Sequence, residues 1–345
     1  MLTVKVLLRD AEKVKQYLFE KKLFDNRFVL ERDKEYIYFP IIKKFSHFVP
    51  KIFLSFQERR DKLKICQEHD LRKVLEKKLT KKELEHLKTA FDIVGDIAIL
   101  EIDDQLVKKQ KLIAKTVLIL HSNIKTVVKK KGEHKGKLRI QEHIYLAGEK
   151  KFETIHKENG VLLKLDINKV YFSPRMASER KRIMEQVKKG ETVLVMFSGI
   201  GPYCCVFGKN SLAKEVYGIE LNKAGHKYAI ENVQLNKLQN VMLLQGDVHN
   251  VVKKFVAEKK VFDRILMPLP KGAEDFLSDA LAVAHKNTII HFYDFLYEKD
   301  FDKALRKIEK SCKKAKKKYK ILRLVKCGQH SPYVFRICVD FQLLG

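Results

Sequence analysis

At 345 residues the chain exceeds one ordinary domain, and at about 150 residues per domain two or three are expected. It carries 71 Lys+Arg against 43 Asp+Glu, a formal net charge of +28, with 45% apolar residues. The apolar share excludes a disordered basic tail. No apolar run approaches the roughly 18 residues needed to span a bilayer, and Met1-Leu-Thr-Val-Lys5 lacks the apolar segment of a signal peptide. A soluble, strongly basic, multi-domain protein is expected. Its charge calls for a polyanion, nucleic acid first and an anionic membrane surface second.

The six cysteines, Cys66, Cys204, Cys205, Cys312, Cys327 and Cys338, form no C-x-x-C pair. Their spacing fits neither a zinc ribbon nor a disulfide scaffold, which points to reduced thiols in the cytoplasm. The histidines are scattered, so no metal site is expected. Trp is absent, and any base stacking must use Tyr, Phe, His or Arg.

In chain order, Val4 to Leu8 alternates as a strand, and Asp10 can cap a helix with Val14, Leu18 and Phe19 at helical spacing. Tyr36-Ile-Tyr-Phe-Pro40 reads as a strand stopped by proline. The charged stretch from Gln57 to Lys88 has no Gly or Pro and reads as helical, with a domain boundary near residue 80. Phe91-Asp-Ile-Val-Gly-Asp-Ile-Ala-Ile-Leu-Glu101 is β-rich, and Lys108 to Leu120 reads as a helix. Segment 125–139 holds seven Lys/Arg against Glu133, a net +6, interrupted by Gly132 and Gly136. It reads as a basic loop or hairpin, or as an ordinary solvated face.

From about residue 169, strands alternate with helices. The strands are 192–197, 213–219, 240–245, 264–267 and 288–292; helical patterns cover 222–235, 248–258 and 272–285. After a Lys-rich helix at 301–319 come two apolar runs, 320–325 and 333–341, joined by Cys327-Gly-Gln-His-Ser-Pro332 in a hairpin-like connection. This rhythm predicts a mostly parallel, helix-covered sheet ending in an antiparallel hairpin. The expected division is a small α/β domain at 1–80, an α+β domain at 81–168 and a Rossmann-like domain at 169–345.

Phe197-Ser-Gly-Ile-Gly-Pro202 lies between a strand and a helix, where glycines let a ligand approach the backbone. Glu220 ends the next strand, 19 residues after Gly201, placed to accept from ribose hydroxyls. Asp247 follows the third strand, in reach of an adenine edge. A dinucleotide turn wants G-x-G-x-x-G/A, but Pro202 follows the second glycine, Cys204 takes the sixth position, and there is no Gly-Lys-Ser/Thr phosphate loop. The pattern resembles the class I S-adenosylmethionine fold; dinucleotide binding and a purely structural turn are the alternatives.

Tyr171-Phe-Ser-Pro-Arg-Met-Ala-Ser-Glu-Arg180, with Asn168-Lys-Val, resembles the block that opens the catalytic domain of archaeal and eukaryotic tRNA (guanine-37-N1)-methyltransferases, a family close to the wyosine-pathway tRNA enzymes. The resemblance extends over nearly the whole chain: residues 1–40, Phe91-Asp-Ile-Val-Gly-Asp-Ile-Ala98, Ile124-Lys-Thr-Val-Val128, Leu146-Ala-Gly-Glu149, Met267-Pro-Leu-Pro-Lys271 and Ser331 to Asp340. It implies methyl transfer from S-adenosylmethionine to guanine N1 at tRNA position 37, by a monomer that contacts the anticodon loop and the outer corner of the tRNA. It implies Glu179 as general base, Arg139 as the arginine stabilising the guanine, and Arg175 and Arg180 ordering the active-site loop or gripping substrate. For Glu179 taken alone, an i,i+3 surface pairing with Arg182 is the simpler reading. Phe172, Phe197, Gly199, Gly201, Glu220, Asp247, Met267 and Pro270 are the expected cofactor-binding residues. Arg180, Lys129, Lys130 and Lys131 are the expected RNA contacts.

Two positions depart from the family pattern. Val195 stands where the first strand usually carries an acid, and Pro268 replaces the asparagine of an N-L-P motif. Pro268 donates through neither side chain nor backbone N–H. A wyosine-pathway transferase, moving methyl or aminocarboxypropyl, and a tRNA-binding protein without catalysis are the alternatives these departures raise.

Overall fold

The structure, a computed structural model, describes residues 2–25, 28, 30–45, 55–58, 70–136, 138–269 and 271–344. Expectations for Cys66, Lys137 and Pro270 lie outside the described residues. The chain divides into two compact units, Met1–Glu85 with Ile119–His121, and His86–Leu118 with Ser122–Gly345. The expected division at residue 168 falls inside the second unit.

In the first unit, β1 (Leu2–Leu7), α1 (Ala11–Glu20), β2 (Glu31–Arg32), β3 (Tyr36–Pro40) and β4 (Ser55–Glu58) form a sheet of order β2-β3-β1-β4 with one helix. Val14 and Leu18 pack on Val4, Val6 and Phe39. Phe19, one residue past Leu18, points about 100° away and is 54% exposed. No single helix covers Gln57 to Lys88. Gln57 and Glu58 belong to β4, 59–69 lie outside the described residues, and two short helices follow, α2 (Leu71–Glu76) and α3 (Lys81–Glu85). Asp70 caps α2 by accepting from Arg72 N at 2.9 Å. Thr80 and Glu83 form a reciprocal capping box, Thr80 N to Glu83 Oε2 at 2.8 Å and Glu83 N to Thr80 Oγ1 at 3.3 Å.

The second unit begins with β5 (Asp92–Val94), β6 (Ile97–Leu100), α4 (Gln110–Leu120), β7 (Thr126–Lys135), β8 (Ile140–Gly148), β9 (Glu153–Glu158) and β10 (Val161–Asp166). Strands β5-β6-β7-β8 make one sheet, and β9 and β10 pair as a hairpin. The basic run 125–139 is therefore mostly strand: Lys129, Lys130 and Lys131 sit in β7 opposite Ile144, His143 and Glu142.

Next come α5 (Ala177–Met184), β11 (Thr192–Met196), α6 (Pro202–Asn210), β12 (Glu215–Glu220), α7 (Lys223–Leu235), β13 (Val241–Gln245), α8 (Val248–Ala257), β14 (Phe262–Met267), α9 (Leu277–Ala282), β15 (Ala284–Tyr297), α10 (Asp302–Lys314), β16 (Tyr319–Ser331) and β17 (Val334–Leu343). The seven strands have the order β13-β12-β11-β14-β15-β17-β16. The first five are parallel, and β17 inserts antiparallel between β15 and β16. The expected helix 272–285 is shorter, because β15 already begins at Ala284. The final connection is also tighter than expected: β16 continues with bulges to Ser331 and turns through Pro332 and Tyr333, the latter at φ 60°.

Strand alternation divides the core. Val193, Val195 and Leu266 face α5, α6, α7 and the β5–β10 region. Leu194, Met196, Ile265 and Met267 face α8, α9 and α10. The sheet thus shares one core with the β5–β10 region. Among the described residues no helix is long and apolar enough to cross a membrane.

Candidate active site

The C-terminal edge of the parallel strands carries the site. After β11, Phe197 adopts φ 64°, a left-handed conformation uncommon for a residue with a bulky side chain. Gly199 and Gly201 also have positive φ, and a side chain on Gly201 would crowd Ala229 Cβ at 3.3 Å. The Glu220 carboxylate accepts from Gly199 N and Asn222 N, each at 2.7 Å. Burial raises its pKa despite these bonds. Asp247 caps α8, accepting from His249 N at 2.9 Å. The Phe276 ring packs edge-on to Phe197 with centroids 4.8 Å apart and stacks on His249 at 4.4 Å. Phe197, Gly199, Glu220, Asp247, His249 and Phe276 border a cavity of about 660 Å³ that Pro268 also lines; Gly201, packed on Ala229, shapes the turn without lining it.

A second cavity, about 590 Å³, opens toward β5–β8. It is lined by Arg139, Arg175, Lys130, Lys271 and Arg336, with Asp92 and Glu101 among them. Between the two lies a throat of about 70 Å³ lined by Tyr171, Phe197, Ser198, Pro268, Tyr293 and Arg336, among others. Tyr171 lines all three spaces. Four buried side-chain polar atoms among the described residues have no hydrogen-bond partner, and two of them, Ser198 Oγ and Arg336 Nε, belong to this throat.

Glu179 lies behind the throat, 5% exposed. Its Oε1 accepts from the Tyr293 hydroxyl at 2.7 Å, and Tyr203 Oη lies 3.0 Å from that hydroxyl. Arg182 grips both carboxylate oxygens, at 2.6 and 2.7 Å, and donates to Asp340 at 2.7 Å. Asp340 Oδ1 meets His291 Nδ1 at 2.6 Å, and His291 Nε2 meets Arg264 Nη1 at 2.8 Å. Arg264, fully buried, also pairs with both oxygens of Glu191. A guanidinium can only donate, so His291 Nε2 accepts and the ring is neutral, donating from Nδ1 to Asp340. Consistently, burial holds the His291 pKa below its usual value. Asp340 is buried, but bonds from His291 and Arg182 hold its pKa well below the usual carboxylate range. His291, Cys338 and Asp340 present ligand atoms within 4.8 Å of one another, yet Arg182 and Arg264 already occupy this cluster with positive charge.

Several expected residues land elsewhere. Arg180 cannot grip RNA: it is 3% exposed, bonded to both oxygens of Glu158 at 2.5 Å and to Ser173 O at 3.0 Å. The charge that reads as an RNA contact is consumed by an acid from β9. Met267 is fully buried and packs toward α8–α10, because strand alternation turns it away from the cavity; Pro268 and Leu269 line the cavity instead. Phe172 borders the throat and the second cavity, not the larger cavity beside Glu220. Arg175 is mostly exposed and pairs with Asp92 at 2.7 Å. Lys130 and Lys131 pair with Glu101 and Glu142. Arg139 stands at φ 52°, donates to Lys271 O at 2.8 Å, and lines both large cavities. The i,i+3 pairing of Arg182 with Glu179 exists, but buried. Sequence reading missed Tyr293, Asp340, His291 and Arg336; the last stands inside the closing family-like segment without any local mark of its position.

The cavity's contents fit a nucleoside-like cofactor. Two carboxylates can accept from hydroxyl and amino donors, Phe276 offers a wall and Gly199 lines the cavity; the orphan Ser198 hydroxyl stands in the adjoining throat. With its strand order and closing antiparallel hairpin, the fold is that of a class I S-adenosylmethionine-dependent methyltransferase. Family models match in sequence: the tRNA methyltransferase 5 N-terminal domain at 3–49, the TYW2 N-terminal domain at 71–151 and the TRM5/TYW2 methyltransferase domain at 154–322. The tRNA (guanine(37)-N(1))-methyltransferase Trm5b of Pyrococcus abyssi is 35% identical over 99% of both chains. The crystal structure of that organism's Trm5b aligns with TM-score 0.74 and 33% identity over 100% of both chains. A solved complex of aTrm5 with tRNALeu aligns at 0.71 and 31%, again over 100% of both. The chain belongs to the Trm5-type tRNA methyltransferase family, close to the TYW2 wyosine enzymes.

Proposed function

We propose that this protein transfers a methyl group from S-adenosylmethionine to N1 of guanine 37 in tRNA. One observation carries the reading: a nucleoside-shaped cavity and a cation-rich cavity meet at a throat backed by Glu179. Glu220 and Asp247 accept from the cofactor's polar groups, and Phe197, Gly199 and Phe276 bound it. When bound, S-adenosylmethionine supplies a methyl group activated by its sulfonium charge.

Guanine N1 carries a proton and is a poor nucleophile until that proton leaves. Glu179 takes it. Its carboxylate is joined to the throat by the Tyr293 hydroxyl, which donates to Glu179, receives from Tyr203, and keeps one lone pair for the N1–H. The proton on N1 passes to Tyr293 as the phenolic proton passes to Glu179, and the phenol ends neutral. Arg139 faces the negative charge that develops on O6. The target base reaches the throat by turning out of its loop, at modest cost because the loop is not duplex.

Lys129, Lys130 and Lys131 and Arg175 line the approach for the anticodon loop, giving affinity that falls with salt. Residues 1–80 read the outer corner of the tRNA, 81–168 complete the substrate cavity, and 169–345 carry the chemistry. The protein acts as a cytoplasmic monomer. Incubation with unmodified tRNA and S-adenosylmethionine, followed by nucleoside mass spectrometry, yields 1-methylguanosine. An aminocarboxypropyl adduct, or no product, refutes the assignment. Glu179→Gln lowers single-turnover rate by about 10²–10⁴ with tRNA affinity nearly intact; unchanged turnover excludes Glu179 as the base.

A further inference from the structure

Arg336 comes from β17, the strand inserted antiparallel into the edge of the sheet. Its Nη2 donates to the Tyr171 hydroxyl at 3.0 Å, and its guanidinium lies 4.9 Å from the centre of the Phe295 ring. These contacts fix the plane of the guanidinium and leave Nε buried without an acceptor. Orphaned buried donors are rare in folded proteins, and each costs free energy that some partner normally recovers. Among the described residues, no carboxylate pairs with Arg336. The side chain borders both the cation-rich cavity and the throat. Arg139 borders the same cation-rich cavity, and the positive charge of Arg336 adds to burial in lowering the Arg139 pKa. Two like charges facing one space favour an anionic or strongly accepting occupant.

The throat's other polar groups are largely committed. Arg180 is held by Glu158, the Tyr293 hydroxyl is bonded to Glu179, and the Tyr203 hydroxyl is bonded to that of Tyr293. Pro268 offers no donor. Arg336 is thus the charged donor still available at the point where a base would present its edge to the methyl donor.

We propose that Arg336 is a catalytic residue that donates from its guanidinium to O6 of the target guanine, sharing with Arg139 the charge that develops there as N1 loses its proton. The assignment rests on the methyl-transfer reading. Nε and the Nη groups form a planar fork, the geometry with which arginine takes a guanine edge. No new covalent step is involved; Arg336 stays protonated throughout.

The test is a cycle between one enzyme group and one substrate atom. Single-turnover rates are measured for the intact protein and Arg336→Gln on tRNA carrying guanine or 6-thioguanine at position 37. Sulfur is a weak acceptor, and its effect on N1 acidity is common to both proteins and cancels. On guanine the variant is slower by about 10- to 100-fold, the span of a hydrogen bond from a charged donor. On 6-thioguanine the two proteins differ little. An equal loss on both substrates, or no loss on guanine, overturns the assignment. Calorimetry with S-adenosylmethionine checks that the variant is folded. If it is not, the cycle is run with Arg336→Lys, for which the loss on guanine is smaller and again vanishes on the thio substrate. If the intact protein methylates neither tRNA, the methyl-transfer reading fails, and the Arg336 proposal with it.

Discussion

Behind the active-site throat runs a chain of charged side chains joined through the neutral His291, Glu179–Arg182–Asp340–His291–Arg264–Glu191; in front of it stand Ser198 and Arg336. The two regions share the same low-dielectric surroundings but are finished differently. In the rear chain each link is bonded to its neighbours, with distances of 2.6–2.8 Å along its main contacts. In the throat, two buried polar atoms have no protein partner. The rear chain is completed by folding; the throat is left for ligands to complete. Removing a polar group should therefore cost stability in one region and ligand binding in the other.

The largest effect is expected at Arg264. Arg264→Ala strands Glu191 and His291 in the core and destabilises by about 3–5 kcal/mol, as breaking buried ion pairs does; denaturant titration measures it. A loss below 1 kcal/mol would mean the rear chain is no tighter than a surface pair, and the contrast would collapse. Acid tests the same chain. The folded pKa of His291 is depressed, so below about pH 6.5 the unfolded chain takes up a proton that the folded one refuses, and stability falls with pH. Asp340, depressed too, adds a further loss as pH falls below about 3.9. Glu220, raised by burial, contributes with the opposite sign. Melting temperature should drop between pH 7 and 5.5, and His291→Gln, which leaves Glu220 in place, should flatten that drop.

Tyr293 sits at the seam between the regions. Tyr293→Phe removes the hydroxyl that relays the proton to Glu179 and should slow single turnover by about 10²–10⁴, as Glu179→Gln does, with cofactor affinity unchanged. A variant of normal rate would mean that Glu179 meets the base without a relay. The smallest effect is at Ser198. Ser198→Ala removes an orphaned hydroxyl, so stability holds or rises slightly while S-adenosylmethionine affinity drops by about 0.5–1.5 kcal/mol. Loss of stability with unchanged affinity would place Ser198 with the rear chain.

The cofactor end was legible from sequence because its signals are local. Gly199 and Gly201 mark a strand-to-helix turn, and Glu220 and Asp247 follow the next two strands; chain order alone lines them up on a parallel sheet. The opposite wall was not legible. Tyr293 and Arg336 lie on β15 and β17, which meet in antiparallel register, and that register depends on pairings across more than forty residues rather than on a motif. The same blindness hides how the charges are partnered. Sequence shows that Arg180 is charged, not that Glu158 from β9 closes over it. It shows Lys130 and Lys131 in a basic run, not their acids across the sheet. The charged stretch after Gln57 has the composition of a helix, but the Thr80–Glu83 box starts a new one.

Tyr171 borders the substrate cavity, the throat and the cofactor cavity at once. A ligand that shifts this ring from one side alters the space offered on the other, and such an influence is mutual by thermodynamic linkage. Affinity for the small molecule measured with the protein alone is then not the affinity that governs turnover. Under such a shift the two binding events form a single balance, and the departure of one product is tied to that of the other.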